Sequence, residues 1–225
     1  MNRRISVVIP ARGEGDCLAR LLQSLRPVPD VELIAAVPHD DEATASVAAH
    51  GGARVVRCAA GRGSQLAAGA AAAVGDILLF CHADTMPPPG WDAAVRTALA
   101  APGAIGGAFR LRIGAAGAAY RVIETMANLR SRWARLPYGD QALFTTRAVY
   151  DAVGGFSPLP LMEDVDFVRR LGRRGQLALL EGEAVSSARR WERDGPLYGT
   201  LRNWTLMSLY FIGVSPVTLA GFYRR

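Results

Sequence analysis

The chain has 225 residues, 50% of them hydrophobic and 20% charged, which is enough for one domain with a substantial core and shows no bias toward disorder. The formal net charge is +6 and all 26 basic residues are arginine, so a P-loop, whose lysine reaches the β/γ-phosphates, and a lysine Schiff base are both excluded. The basic balance favours anionic partners, whether phosphates, nucleic acid or lipid head groups. Three cysteines, Cys17, Cys58 and Cys81, lack metal-ligand spacing and read as reduced, buried thiols of a cytoplasmic protein.

Met1-Asn2-Arg3-Arg4 leads into an apolar run too short for a secretory signal, so no export is expected. Ile5 to Pro10 reads as a strand, and after Asp16 the leucines Leu18, Leu21, Leu22 and Leu25 keep helical spacing. The same pair recurs as Glu32 to Val37 with Asp41 to Ala49, Arg54 to Cys58 with Ser64 to Val74, and Ile77 to Cys81 with Trp91 to Ala100. Four such units predict a parallel sheet with covered faces. Beyond Pro102 the order is mixed: a more exposed strand from Gly106 to Ile113, a long helix from Gly117 to Leu136, a strand from Gln141 to Thr145, a helix from Glu163 to Arg174 and a strand from Gln176 to Leu180.

Several segments carry candidate chemistry, each with a plainer reading beside it. In Pro10-Ala11-Arg12-Gly13-Glu14-Gly15 the dinucleotide fingerprint begins but Leu18 fills the third glycine position, which disfavours a Rossmann dehydrogenase. Gly61-Arg62-Gly63-Ser64 opens a helix, where Ser64 serves as N-cap or the backbone N–H groups and Arg62 hold phosphate. His82-Ala83-Asp84 follows the fourth strand. Ligands of open α/β sheets collect beyond the carboxyl ends of the strands, so these side chains are candidate metal ligands, while Asp84 ahead of Thr85, Met86 and three prolines also suits a loop cap.

Met162-Glu163-Asp164-Val165-Asp166 sets three acids at a helix start, as the helix dipole favours. Glu163 and Asp164 are adjacent and point about 100° apart, which leaves one to enter a cleft as a general base while the other anchors the loop. Ser187-Ala188-Arg189-Arg190-Trp191-Glu192-Arg193 offers guanidinium forks for diphosphate oxygens and an indole for a sugar ring, or else a solvated basic turn beside a half-buried Trp191. His39 and His50 read as surface residues.

No charge occurs between Arg202 and Arg224, a run long enough to raise a membrane span. Pro196, Gly213 and Ser215-Pro216 divide it into two helices, the first from Leu197 to Ile212 and about 24 Å long, short of a bilayer core. Burial in the core or an interface is the first expectation. A homodimer, or shallow membrane contact through Trp204, Tyr210, Phe211 and Tyr223, is the alternative.

Taken in order, these segments resemble the family-2 glycosyltransferases of the GT-A fold over nearly the whole chain. The matching residues are Ile5-Ser6-Val7-Val8-Ile9-Pro10-Ala11-Arg12-Gly13-Glu14, the Asp84 motif, Gly154-Gly155-Phe156 ahead of Glu163-Asp164, and Arg190-Trp191. Leu136-Pro137-Tyr138-Gly139-Asp140-Gln141 and the segment from Ser187 to Arg193 are in addition similar to a small bacterial subgroup associated with radical-SAM arsenosugar biosynthesis. The resemblance implies an α/β, GT-A nucleotide-diphospho-sugar transferase fold, a mostly parallel central sheet with helices on both faces. It implies one domain, with a nucleotide-binding half (1–101), an acceptor and catalytic half (102–195) and C-terminal helices (196–225).

The implied activity is inverting, metal-dependent transfer of a sugar from a nucleoside-diphosphate sugar to the hydroxyl of a small-molecule or lipid acceptor, in arsenosugar or other small glycoside synthesis. The implied place is the cytoplasm or the inner face of the membrane, with no nucleic-acid partner. Carried over, Asp84 holds Mg2+ or Mn2+ with His82 at the first acidic position of the motif. Pro10, Ala11, Arg12, Glu14, Arg62 and Arg190 contact the donor, Asp140 and Trp191 face the acceptor, and Asp164 is the base with Glu163 beside it. Three positions depart from the family pattern. Val37 stands where an acid reads a uracil base, with Asp40 and Asp41 beyond it; His82 replaces an acid, which favours manganese; and Ser187 replaces the glutamine of processive synthases. His82, Val37 and the apolar tail also leave open a non-catalytic nucleotide-sugar or membrane-surface binding protein on the same fold.

Overall fold

The near-continuous apolar run Ile5–Pro10 forms strand β1, buried along its whole length in the computed structural model, which describes residues 3–25 and 28–223. Ile5, Val7 and Ile9 enter one core with Leu18, Leu21 and Leu22 of helix α1 (Gly15–Ser24), whereas Val8 enters another with Leu66 and Ala70 of α3 (Arg62–Ala72). The alternation of a strand thus feeds two helical layers, which is why no polar face shows in its sequence.

The remaining strands are β2 (Val31–Pro38), β3 (Arg54–Cys58), β4 (Ile77–Phe80), β5 (Thr85–Met86), β6 (Ala104–Ile113), β7 (Leu143–Thr146) and β8 (Gln176–Ser186). One sheet contains all eight in the order β3-β2-β1-β4-β7-β6-β8-β5. Strands β1 to β4 pair in parallel, as do β6 and β8, while β7 runs against both β4 and β6, and β5 against β8. Helices α2 (Glu42–His50) and α4 (Trp91–Ala100) share the layer of α1; α6 (Arg147–Ala152) and α7 (Glu163–Gly172) share that of α3. Helix α5 (Ala118–Trp133) and the last three, α8 (Arg189–Asp194), α9 (Pro196–Phe211) and α10 (Pro216–Tyr223), complete the chain.

Three expectations change. Ser64 does not cap α3, because the helix begins two residues earlier, after Gly61 at φ 124°, a backbone that favours glycine. Strand β6 keeps the expected alternation only in its second half: Ala108 and Phe109 point into the two cores, whereas the Arg110 and Arg112 side chains are 42% and 43% exposed. Burial of the C-terminal run in the core is only partial. Leu206 and Leu219 pack with Met162 and Val165, but Leu197 and Ile212 are 81% and 78% exposed, and Trp204 and Phe211 are exposed as well. The side chain of Tyr223 lies outside the described residues. No helix among the described residues is long and apolar enough to cross a membrane. Cys17, Cys58 and Cys81 are free and buried, and His39 and His50 are exposed.

Close strand contact in β6 depends on glycine. A Cβ on Gly107 would press into the Ala178 carbonyl and stand 2.7 Å from Phe144 Cζ, whereas one on Gly172 would meet nothing within 4 Å. Gly107→Ala is expected to destabilise the fold by about 1–3 kcal/mol, read as a lowered urea midpoint, and Gly172→Ala to show no comparable loss.

Candidate active site

The two-residue strand β5 organises the site. After β4 the chain turns at His82–Thr85, where the Thr85 N–H donates to the His82 carbonyl at 3.0 Å. Thr85 and Met86 then pair with Ser186 and Val185 at the end of β8, and the Ser187 N–H donates to the Asp84 carbonyl at 3.0 Å. This ladder sets the start of α8 beside Asp84. The Arg189 guanidinium lies 3.9 Å from the Asp84 carboxylate and 3.5 Å from that of Glu14. Burial, then the Asp84 charge, raises the Glu14 pKa above its ordinary 4.5 against the opposing pull of Arg189.

A second wall comes from the 3-10 turn Gly139–Gln141 and the start of α7. Buried Gln141 accepts from Ser131 Oγ at 2.9 Å and donates to the Phe109 carbonyl at 2.9 Å, fixing the turn between α5 and β6. The Gly139 N–H donates to Asp164 Oδ2 at 2.9 Å, and the Val165 N–H to Asp164 Oδ1 at 2.8 Å. A Cβ at Gly139 would lie 2.5 Å from His82 Nε2 and 3.4 Å from Asp164 Oδ2, so only glycine lets the imidazole and the carboxylate approach the same turn. Helix α7 is aimed by the glycine pair before it: Gly154 and Gly155 have φ of 79° and 63°, and Phe156 stacks on Phe167 with ring centroids 4.2 Å apart.

His82, Asp84, Asp140, Glu163, Asp164, Arg62, Arg190 and Trp191 line one cavity of about 130 Å³. The side chains expected of the metal motif, the base and the Arg-Trp pair therefore open onto one hollow. Burial, with the Arg62 and Arg190 charges, holds the His82 pKa well below 6.5 and leaves the ring neutral near pH 7. Asp140 is pushed above its ordinary 3.8, mainly by burial. Tyr138, under the Arg130 guanidinium at 3.3 Å, is pushed up to about 12 by burial.

Glu163 and Asp164 divide as their geometry demands. Glu163 is 2% exposed and paired with Arg62 at 3.3 Å, while Asp166 is taken up by Ser157 and Arg170. Burial, with Asp164 beside it, raises the Glu163 pKa above 4.5. A carboxyl with a higher pKa in the folded chain holds its proton more tightly there, so the stability it lends is complete below 4.5 and is lost as pH climbs through the raised value. Urea unfolding from pH 4.5 to neutrality is expected to show Glu163→Gln gaining on the wild type as pH rises.

The first loop stands partly apart. Pro10 and Ala11 are buried, with the Ala11 carbonyl accepting from Gln65 Nε2 at 3.0 Å. Arg12 is exposed and pairs with Asp40 at 3.2 Å, outside the cavity. Asp41 caps α2 through the Thr44 N–H and accepts from the Gly13 N–H at 2.8 Å, so it braces this loop. Arg189 and Tyr138, each inside a quoted motif, and Asn203, which lies in none, also belong to the site. A larger open groove of about 670 Å³ along α5 shares none of these residues and is bridged by Arg110–Glu181 at 3.2 Å and Arg112–Glu124 at 3.4 Å.

Among the described residues no three His, Cys, Asp or Glu side chains gather as a metal cage. One carboxylate and one neutral imidazole, Asp84 and His82, suit an ion that keeps most positions for phosphate oxygens and water, as Mg2+ and Mn2+ do at nucleotide sites.

The sheet order and this cleft define the GT-A architecture of sugar-nucleotide transferases. The chain belongs to glycosyl transferase family 2, whose model matches residues 6–160. Glucosyl-3-phosphoglycerate synthase from Mycobacterium tuberculosis, solved with Mn2+, uridine diphosphate and glucosyl-3-phosphoglycerate, superposes with a TM-score of 0.63 at 24% identity, covering 82% of this chain and 72% of that one. A mannosyltransferase from Pyrobaculum calidifontis, in complex with GDP-Man and Mn2+, gives 0.62 at 15% identity, covering 83% of this chain and 57% of its own. A mycobacterial protein gives 0.60 at 26% identity, covering 82% and 65%. No curated protein matches the chain significantly.

Proposed function

We propose that this glycosyltransferase moves a sugar with inversion from a nucleoside-diphosphate sugar to an acceptor hydroxyl. The observation that carries the reading is the shared cavity of Asp84, Asp164, Arg190 and Trp191. Residues 1–101 form the nucleotide half, 102–195 the acceptor and catalytic half, and 196–225 the terminal helices. Asp84 and His82 hold Mg2+ or Mn2+; when bound, the ion supplies Lewis-acid neutralisation of charge on the departing diphosphate. The ions and nucleotides in the structures of the similar synthase and mannosyltransferase support that choice.

The acceptor oxygen attacks the anomeric carbon from the face opposite the diphosphate and passes its proton to Asp164. The anomeric carbon–oxygen bond breaks, and the diphosphate oxygen keeps the electron pair. Arg62, Arg190 and Arg189 stabilise that charge, a role supported by the first two lining the cavity and by Arg189 standing 3.9 Å from Asp84. Glu163 and Asp164 both line the cavity, but Glu163 is paired with Arg62 whereas Asp164 has no ion-pair partner among the described residues, which supports Asp164 as the base of a single in-line displacement. Pro10, Ala11, Arg12 and Glu14 frame the nucleotide side, and Asp140 and Trp191 the acceptor side.

The motifs from Leu136 to Gln141 and from Ser187 to Arg193 support membership of the arsenosugar-associated subgroup. The exposed apolar residues of α9 and α10 support a cytoplasmic enzyme that touches the inner membrane face or a second copy of itself. A thermal-shift panel of uridine- and guanosine-diphosphate sugars tests the donor reading, because binding to the native state raises apparent stability. At least one is expected to stabilise the chain only with Mn2+ and to release its nucleoside diphosphate; a panel without any stabilisation contradicts the reading.

A further inference from the structure

A second chamber, of about 290 Å³, adjoins the first across Tyr138, Asp140, Trp191 and Asn203. Its far walls come from α5 (Ile123, Met126, Ala127) and α9 (Thr200, Trp204), and they are mainly apolar. Asp140 and Thr200 interrupt that lining, along with Arg130, Tyr138 and Asn203. Asp140 Oδ1 and Thr200 Oγ1 are sealed from solvent and have no hydrogen-bond partner among the described residues. A buried carboxylate oxygen in that state is costly unless a donor reaches it.

Arg190 lines the adjoining cavity together with Asp140, so the cation that borders the chamber itself is Arg130. Its guanidinium lies flat on the Tyr138 ring at 3.3 Å and donates through Nε to the Leu136 carbonyl at 2.9 Å. At the mouth, Met126 and Trp204 are 41% and 46% exposed, and Leu129 and Leu201, a turn away on each helix, are 49% and 65% exposed. The chamber therefore runs from a hydrogen-bond acceptor at the catalytic end to an apolar rim.

We propose that this chamber binds the acceptor and that the acceptor is an uncharged amphiphilic alcohol, its hydroxyl donating toward Asp140 and its apolar body lying between α5 and α9. The proposal rests on the transferase reading, and it names the acceptor class for that site. Gly139, next to Asp140, holds Asp164 by its N–H, so the hydroxyl end lies where the two cavities meet. An anionic acceptor head would stand beside the Asp140 carboxyl and be repelled.

The probe is 8-bromo-1-octanol, whose bromine quenches tryptophan fluorescence, titrated into the full chain without nucleotide sugar or metal. Saturable quenching is expected. Ala127→Leu, which fills the chamber, weakens binding about tenfold, and Trp204→Phe removes much of the quenched signal without depending on the fold of the first variant. The anionic 8-bromooctanoate binds about tenfold more weakly than the alcohol, and Asp140→Asn narrows that gap. Absent or unsaturable quenching, quenching unchanged in both Ala127→Leu and Trp204→Phe, or equal binding of alcohol and carboxylate overturns the proposal. A failure of the transferase reading is detected separately, in the donor panel with Mn2+.

Discussion

Asp84→Asn is expected to lower sugar transfer by about a thousandfold or more and to abolish the Mn2+-dependent part of nucleotide binding. The substitution leaves the Ser187 N–H to Asp84 carbonyl bond in place, so the junction of β5 and β8 survives. What changes is one full negative charge at the cavity, where Arg189 stands 3.9 Å away. With that charge gone, Arg189 turns more fully to Glu14, already 3.5 Å distant. Nucleotide titrations with and without Mn2+ check this outcome. An Asp84→Asn protein with an unchanged Mn2+ effect contradicts the ligand role.

Asp164→Asn is expected to reduce kcat by about 10²–10⁴ while nucleotide-sugar binding stays within a few-fold of the wild type, because a proton acceptor is lost and no donor contact is. The variant carries a structural cost that must be separated from the chemical one. Asp164 accepts two backbone N–H groups, from Gly139 and Val165, and asparagine presents one oxygen and one N–H2 to the same pair. The resulting donor-to-donor contact costs about 1–3 kcal/mol of stability. Urea unfolding measures that loss directly, and single-turnover rates well below the unfolding transition isolate the catalytic one. Loss of donor binding in step with kcat assigns Asp164 to the donor instead.

Much of the fold is legible because strand and helix periods are strong in the first hundred residues. Leu18, Leu21 and Leu22 occupy one face of α1 at helical spacing, and that face is the buried one. The clustering of Asp84 with Glu163 and Asp164 also follows from the family pattern. Other features have no local signal. Strand β5 is two residues long, too short for any period, yet its pairing with β8 is what sets Arg189 rather than Arg190 beside Asp84 and Glu14. In the sequence the two arginines are equivalent neighbours. The pairing of Arg12 with Asp40 is likewise silent in the loop motif, since 28 residues separate the two in the chain.

The terminal helices show a further limit. Hydropathy marks Leu197, Leu201 and Ile212 as surface that favours leaving water, but it does not say which element covers them, and among the described residues none does fully. The antiparallel insertion of β7 between β4 and β6 is equally silent in sequence, since Leu143–Thr146 reads as a short apolar strand in either direction.

Anomalous diffraction from crystals grown with Mn2+ and uridine or guanosine diphosphate tests the shared cleft most directly. The expected manganese peak lies at the Asp84 carboxylate, with the diphosphate directed toward Arg62 and Arg190 and Asp164 facing the same cavity. Manganese and nucleotide bound together elsewhere on the molecule, with Asp84 and Asp164 untouched, contradict it.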